Sequence, residues 1–174
     1  MNYIRTITHY VAVTIIAAVW SAGASMASEP ASTDHLVKTP FINQEHDTIG
    51  SLTAKATPHG VLVTIDVHTL SGTHGFHIHE HGICETPDFK SAGGHYNPNN
   101  HQHGVLEANG THKGDLPNII AANGHATQQF FINDISLETL QTLSFIIHAD
   151  ADDYHSQPSG NAGNRIACAS FSKQ

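Results

Sequence analysis

The chain has 174 residues, 39% of them hydrophobic and 13% charged, enough for one domain with a real core and too few for two. Fifteen Asp and Glu against seven Lys and Arg leave a net charge of −8, so the basic footprint of a nucleic-acid binder is absent. Sixteen histidines are the outlier; neutral imidazole is the commonest metal ligand, so composition points toward metals without saying whether they are stored, structural or catalytic.

Residues 1–27 read as a cleaved secretory leader. Arg5 supplies the positive start and Tyr10 to Trp20 an apolar core of eleven residues. Ser25 and Ala27 are the small side chains that a signal peptidase reads. Eleven apolar residues fall well short of the roughly twenty that span hydrocarbon, which argues against a membrane anchor. The remaining domain, residues 28–174, carries six basic and fifteen acidic side chains and opens on a loose tail, 28–35.

Beyond the tail, short apolar and β-branched runs alternate with turn chemistry. Thr48 to Ala56 and Val61 to Val67 predict two strands joined across Thr57-Pro58-His59-Gly60. Phe76 to His81 predicts a third. Asn118 to Ala122 and Ala126 to Ile132 flank the turn pair Asn123-Gly124. A single helical turn is expected around Ser136 to Leu140, and Leu143 to His148 and Arg165 to Ser170 close the set. The pattern is all-β, a sandwich or barrel. Residues 82–117 and 149–164 break it. They are rich in Gly, Pro, Asn, His and Asp, and loops that long in a compact domain are usually functional and need something to order them. Cys84 and Cys168 are the only cysteines, and in an oxidising compartment they most simply form one disulfide, two free buried thiols being the alternative.

The chemistry gathers in four stretches. In GFHIHEHG, His77 and His79 lie two apart on a predicted strand, so both leave one face while Phe76 and Ile78 take the other. Two imidazoles on one face make a bidentate clamp, the alternative being a polar strand face. SAGGHYNPNNHQHGVLEANGTHKGDLP offers His95, His101, His103, His112 and Asp115, and three imidazoles with a carboxylate suit tetrahedral zinc. His148 ends an apolar strand, with Asp150, Asp152 and Asp153 just after it. GNAGNRIAC puts Arg165 three residues before Cys168.

The ordered series GFHIH, SAGGHYNP, a His eight residues on, H-x-x-D before LP, a strand-terminal His and GNAGNRIAC resembles copper/zinc superoxide dismutase of the exported bacterial type. The resemblance covers nearly all of residues 28–174. It implies an eight-stranded Greek-key β-barrel, related to immunoglobulin-like sandwiches, with its site outside the barrel under two long loops. It implies copper on His77, His79, His95 and His148, and zinc on His95, His103, His112 and Asp115, with His95 bridging. His101 lies six after His95 and falls outside the pattern. Asp152 matches a carboxylate that hydrogen-bonds one ligand of each metal, Arg165 the guanidinium that holds the anion, and Cys84 with Cys168 the family disulfide. The implied reaction disproportionates superoxide to oxygen and peroxide. Copper is reduced by one anion and reoxidised by the next, and His95 leaves copper to carry a proton. Periplasmic location, no membrane or nucleic-acid partner, and a homodimer as a candidate assembly complete what the resemblance implies.

Some features depart from it. The 150–164 loop is acidic and has no lysine, so attraction of an anion falls to the metals, Arg165, and Lys90 or Lys113. His35, His46, His59, His68, His74, His125 and His155 match no ligand position and are expected on the surface or in loops; His81 and His101 are intermediate. A protein of the same fold that only buffers or delivers metal is the main alternative, and the complete copper set with Arg165 argues against it.

Overall fold

The computed structural model describes residues 35–172; the expected leader lies outside these. Eight strands, β1 (Leu36–Asn43), β2 (Thr48–Thr57), β3 (Gly60–His68), β4 (Gly72–His79), β5 (Asp115–Ala121), β6 (His125–Asn133), β7 (Ser144–His148) and β8 (Arg165–Ser170), form one antiparallel sheet. Their order is β5-β4-β7-β8-β1-β2-β3-β6, with Greek-key crossings from β3 to β4 and from β6 to β7. The sheet curls until β5 and β6 meet in a nearly closed barrel. At that seam Ala122 bridges to His125, and the Gln128 side chain accepts from Ile120 N at 2.6 Å.

Strict alternation builds the core. Leu52 and Ala54 of β2 and Val61, Val63, Ile65 and Val67 of β3 are all fully buried. Phe76 is the hub, its ring centroid 5.2 Å from Phe130, 5.8 Å from Phe145 and 6.3 Å from Phe41. The expected helical turn is α1 (Leu137–Leu140), capped by Ser136 Oγ accepting from Thr139 N. Among the described residues no helix is long and apolar enough to cross a membrane.

Three boundaries differ from expectation. β1 has no counterpart in the sequence reading, because its pattern is broken twice. Phe41 enters the main core, while its neighbour Ile42, on the opposite face, is buried as well, joining Cys84, Phe89, Ala92, Ile146 and Cys168 in a smaller one; across from them β2 bulges at Ile49. Pro40 is tolerated because β8 pairs only with Ile42 and Asn43, leaving the strand an edge at the proline. β4 begins at Gly72 and stops at His79, short of His81. β5 starts at Asp115 and carries Pro117 on the outermost strand of the order, where a missing donor costs little. The first long loop is therefore 80–114.

Candidate metal centre

β4 shows why burial alone hides the site. Phe76 and Ile78 face the core, as the two-residue period requires, yet His77 and His79 on the opposite face are also buried, under the two loops. His95 reaches them by a bridge pairing of its backbone with His79, and His148 arrives at the end of β7. The ligand-type atoms of His77, His79, His95 and His148 all lie within 4.8 Å of one another.

Each of these four rings has one nitrogen held and one bare. His77 Nε2 meets Asp152 Oδ2 at 2.7 Å, His79 Nδ1 the Gly93 carbonyl at 3.0 Å and His148 Nδ1 the Gly163 carbonyl at 3.1 Å. His95 Nδ1 meets Asp115 Oδ1 at 2.9 Å. The other nitrogens, His77 Nδ1, His79 Nε2, His95 Nε2 and His148 Nε2, are buried without any hydrogen-bond partner. A buried polar atom without a partner costs free energy, and four aimed at one spot fit a cation. Burial, against the opposing bond from Asp152, pushes His77 down to about 4, and burial with the neighbouring His77 second takes His148 to about 3, so both are neutral and ready to ligate at pH 7.

A second group shares His95. His95, His103, His112 and Asp115 also bring their donor atoms within 4.8 Å. Nδ1 of His95, His103 and His112 lie 2.9, 3.0 and 3.3 Å from the single oxygen Asp115 Oδ1. The other oxygen, Oδ2, accepts from Gly104 N, Thr111 Oγ1 and His112 N, which ties the loop to the start of β5. Three imidazoles and a carboxylate are a fitting set for zinc. His95 thus turns Nδ1 to one group and Nε2 to the other, its ring 5.0 Å from His79 and 5.2 Å from His103. Burial opposes a proton on His103, but its bonds to Asp115 and Asp152 overcome this and raise it to about 9.

Asp152 joins the two groups. Its Oδ2 takes His77 Nε2, and its Oδ1 takes His103 Nε2 at 3.1 Å and Tyr154 N at 2.6 Å. Arg165, at the start of β8 and paired with His148 across the ladder, donates from its two terminal nitrogens to the Phe89 and Gly93 carbonyls, both at 2.6 Å. It lines an opening with Gln44, Asp88, Lys90, Gly163 and Asn164. Lys90 there is paired with Asp88 at 2.7 Å, while Lys113 sits elsewhere, 3.9 Å from Asp134. Cys84 and Cys168 form a disulfide that pins the first loop to β8.

The family model described as copper/zinc superoxide dismutase (SODC) matches residues 48–171. The chain belongs to the copper/zinc superoxide dismutase family. The Legionella pneumophila superoxide dismutase [Cu-Zn] is 40% identical over 69% of this chain and 75% of its own length. The superoxide dismutase [Cu-Zn] 1 of Aquifex aeolicus is 40% identical over 74% and 82%. Among solved structures, a SOD-like protein from Bacillus subtilis superposes with a TM-score of 0.73 at 37% identity, covering 78% of this chain and 97% of the other. The Cu/Zn superoxide dismutase of Brucella abortus gives 0.68 at 26%, covering 79% and 100%. Superoxide dismutation is accordingly the activity, and copper and zinc are the metals.

Several residues of this dismutase centre escape a reading of the sequence. His74, expected on the surface, is buried, and its Nδ1 donates to the His148 carbonyl at 2.9 Å. Gln157 clips the two loops together, its amide exchanging bonds of 2.9 Å with the backbone N and O of His103. Asn118 holds the Asp152 backbone in the same two-bond manner. Asp153 is a turn-former, accepting from His155 N and Ser156 N, and the Ser156 side chain followed by these backbone bonds holds its carboxyl below the usual range. None of these announces itself locally; each needs a partner more than 30 residues away or a turn unseen in the sequence. His101 bonds the Thr111 carbonyl and, like His81, stays outside the clustered donors.

Proposed function

We propose that the mature chain, residues 28–174, is an exported periplasmic enzyme. In this reading it binds copper through His77, His79, His95 and His148, and zinc through His95, His103, His112 and Asp115. The observation that carries this is the set of four bare, buried ring nitrogens, one per histidine, opposite four anchored ones. Bound there, copper supplies the one-electron couple for the two half-reactions and zinc a redox-inert charge.

The protein's own groups do the rest. Arg165, its guanidinium oriented by two carbonyls, gives an incoming anion a fixed positive charge at the mouth of the site. His95 Nε2 takes up a proton in the first half-reaction and delivers it in the second; two superoxide anions and two protons then give oxygen and hydrogen peroxide. Asp152 holds His77 and His103 in the tautomers that present their other nitrogens. Export is supported by the apolar run Tyr10 to Trp20 and by the disulfide, which suits an oxidising compartment.

The test is metal analysis of wild type and His148→Ala beside pulse radiolysis. Wild type should hold one copper and one zinc per chain and turn over superoxide in a cyanide-sensitive way. His148→Ala should keep zinc and lose both copper and turnover. Unchanged turnover in the variant removes His148 from the copper set, and metal binding without turnover in wild type favours a metal buffer.

A further inference from the structure

Outside the dismutase centre, one further group of metal-type donors comes together among the described residues: Asp66, His68 and His125. The ladder explains it. His68 ends β3 directly opposite His125 at the start of β6, and Asp66, two residues back, shares the outer face with His68 while Ile65 and Val67 point inward. The two imidazoles lie nearly parallel, 4.7 Å apart at 11°. His125 Nε2 stands 2.7 Å and His68 Nε2 3.7 Å from the same oxygen, Asp66 Oδ1. A tetrahedral zinc with bonds of about 2.0–2.1 Å sets its donors roughly 3.4 Å apart, between these two values.

We propose that Asp66, His68 and His125 form a second, surface site for a zinc-class divalent ion, sharing no residue with the dismutase centre. Two neutral imidazoles and a carboxylate are the donor set of open three-ligand zinc sites. The side chains are 53%, 61% and 47% exposed, so they are free to tilt by the few tenths of an ångström to an ångström that an ion requires, and water completes its coordination. The strands hold the clamp in advance: the pair sits at the end of a nine-residue ladder, and the Ala122–His125 bridge fixes the turn before His125. In the ion-free chain His125 Nε2–H donates to Asp66, and the ion takes that proton's place. The barrel's acidic balance favours a cation in the same direction.

The experiment titrates zinc(II) into the fully copper- and zinc-loaded protein by calorimetry, with wild type and the His68→Asn/His125→Asn double variant in parallel. The expected result is one further zinc per wild-type chain, and loss of that equivalent in the variant with copper, zinc and dismutase activity unchanged. A zinc soak of crystals should give an anomalous peak among the three donor atoms. No further equivalent in wild type overturns the site, as does one that survives the double variant or a peak on other histidines. Binding rather than turnover is read, so the outcome stands apart from the assignment of the dismutase centre.

Discussion

Gly160 shows how one residue without a side chain leaves room for the carboxylate that joins the two donor groups. It sits at a left-handed φ of 67°, and a Cβ there would collide with the Asp152 carboxylate and reach 2.7 Å from His103 Nε2. Gly160→Ala should therefore shift the carboxylate that holds His77 and His103, and weaken metal binding by about 10–100-fold, the usual cost of losing an outer partner. Competition with a chromophoric chelator measures it. Arg165→Ala should fold and bind both metals, since Arg165 touches only loop carbonyls. Its kcat/KM should fall about tenfold or more and respond less to salt, because one fixed charge at the mouth is gone; stopped-flow rates across ionic strength decide this. At this scale the sequence was informative but incomplete. The spacing of His77 and His79 on a strand puts both imidazoles on one face, which reads as a clamp or as a polar strand face. His101 and His103 were separable only by the resemblance, and Gly160, Gln157 and Asn118 act through partners that no local pattern names.

Among the elements, β2, β3 and β6 were legible from their apolar alternation, and β7 and β8 as short apolar runs. β1 was not, since Phe41 and Ile42 are buried on opposite faces and Pro40 reads as a strand breaker. The loops were legible only as long and turn-rich; their order comes from Asp115, Asp152 and the disulfide. That disulfide closes 84 residues of sequence and anchors Phe89, whose buried ring and whose carbonyl, bonded to Arg165, belong to the same loop. Reduction should lower stability by about 2–5 kcal/mol and reduce activity more than metal content, because the carbonyls that aim Arg165 loosen before the ligand cluster does. Thermal melting and metal analysis under reductant check both halves; an unaltered melting temperature contradicts the anchoring role.

For the molecule as a whole, the metal-free chain should be most stable near pH 6.5. His77 and His148 are held at about 4 and 3 when folded, against about 6.5 unfolded. As pH falls below 6.5 the unfolded chain takes up protons that these buried rings refuse, and stability declines toward pH 4. The lowered carboxyls of Asp115 and Asp152 act in the same direction at lower pH still. His103 has the opposite sign. Raised to about 9, its imidazolium contributes fully below pH 6.5, and that contribution is lost as pH rises through 9. Urea midpoints of the apo protein at pH 5, 6.5 and 9 should therefore peak at the middle value.

The single carboxylate of Asp152 grips a ring from each cluster, so ions held as proposed would be thermodynamic neighbours rather than tenants of separate rooms. Whatever factor zinc then added to the hold on copper, copper would return to zinc, and a chelator that stripped one ion should loosen the other.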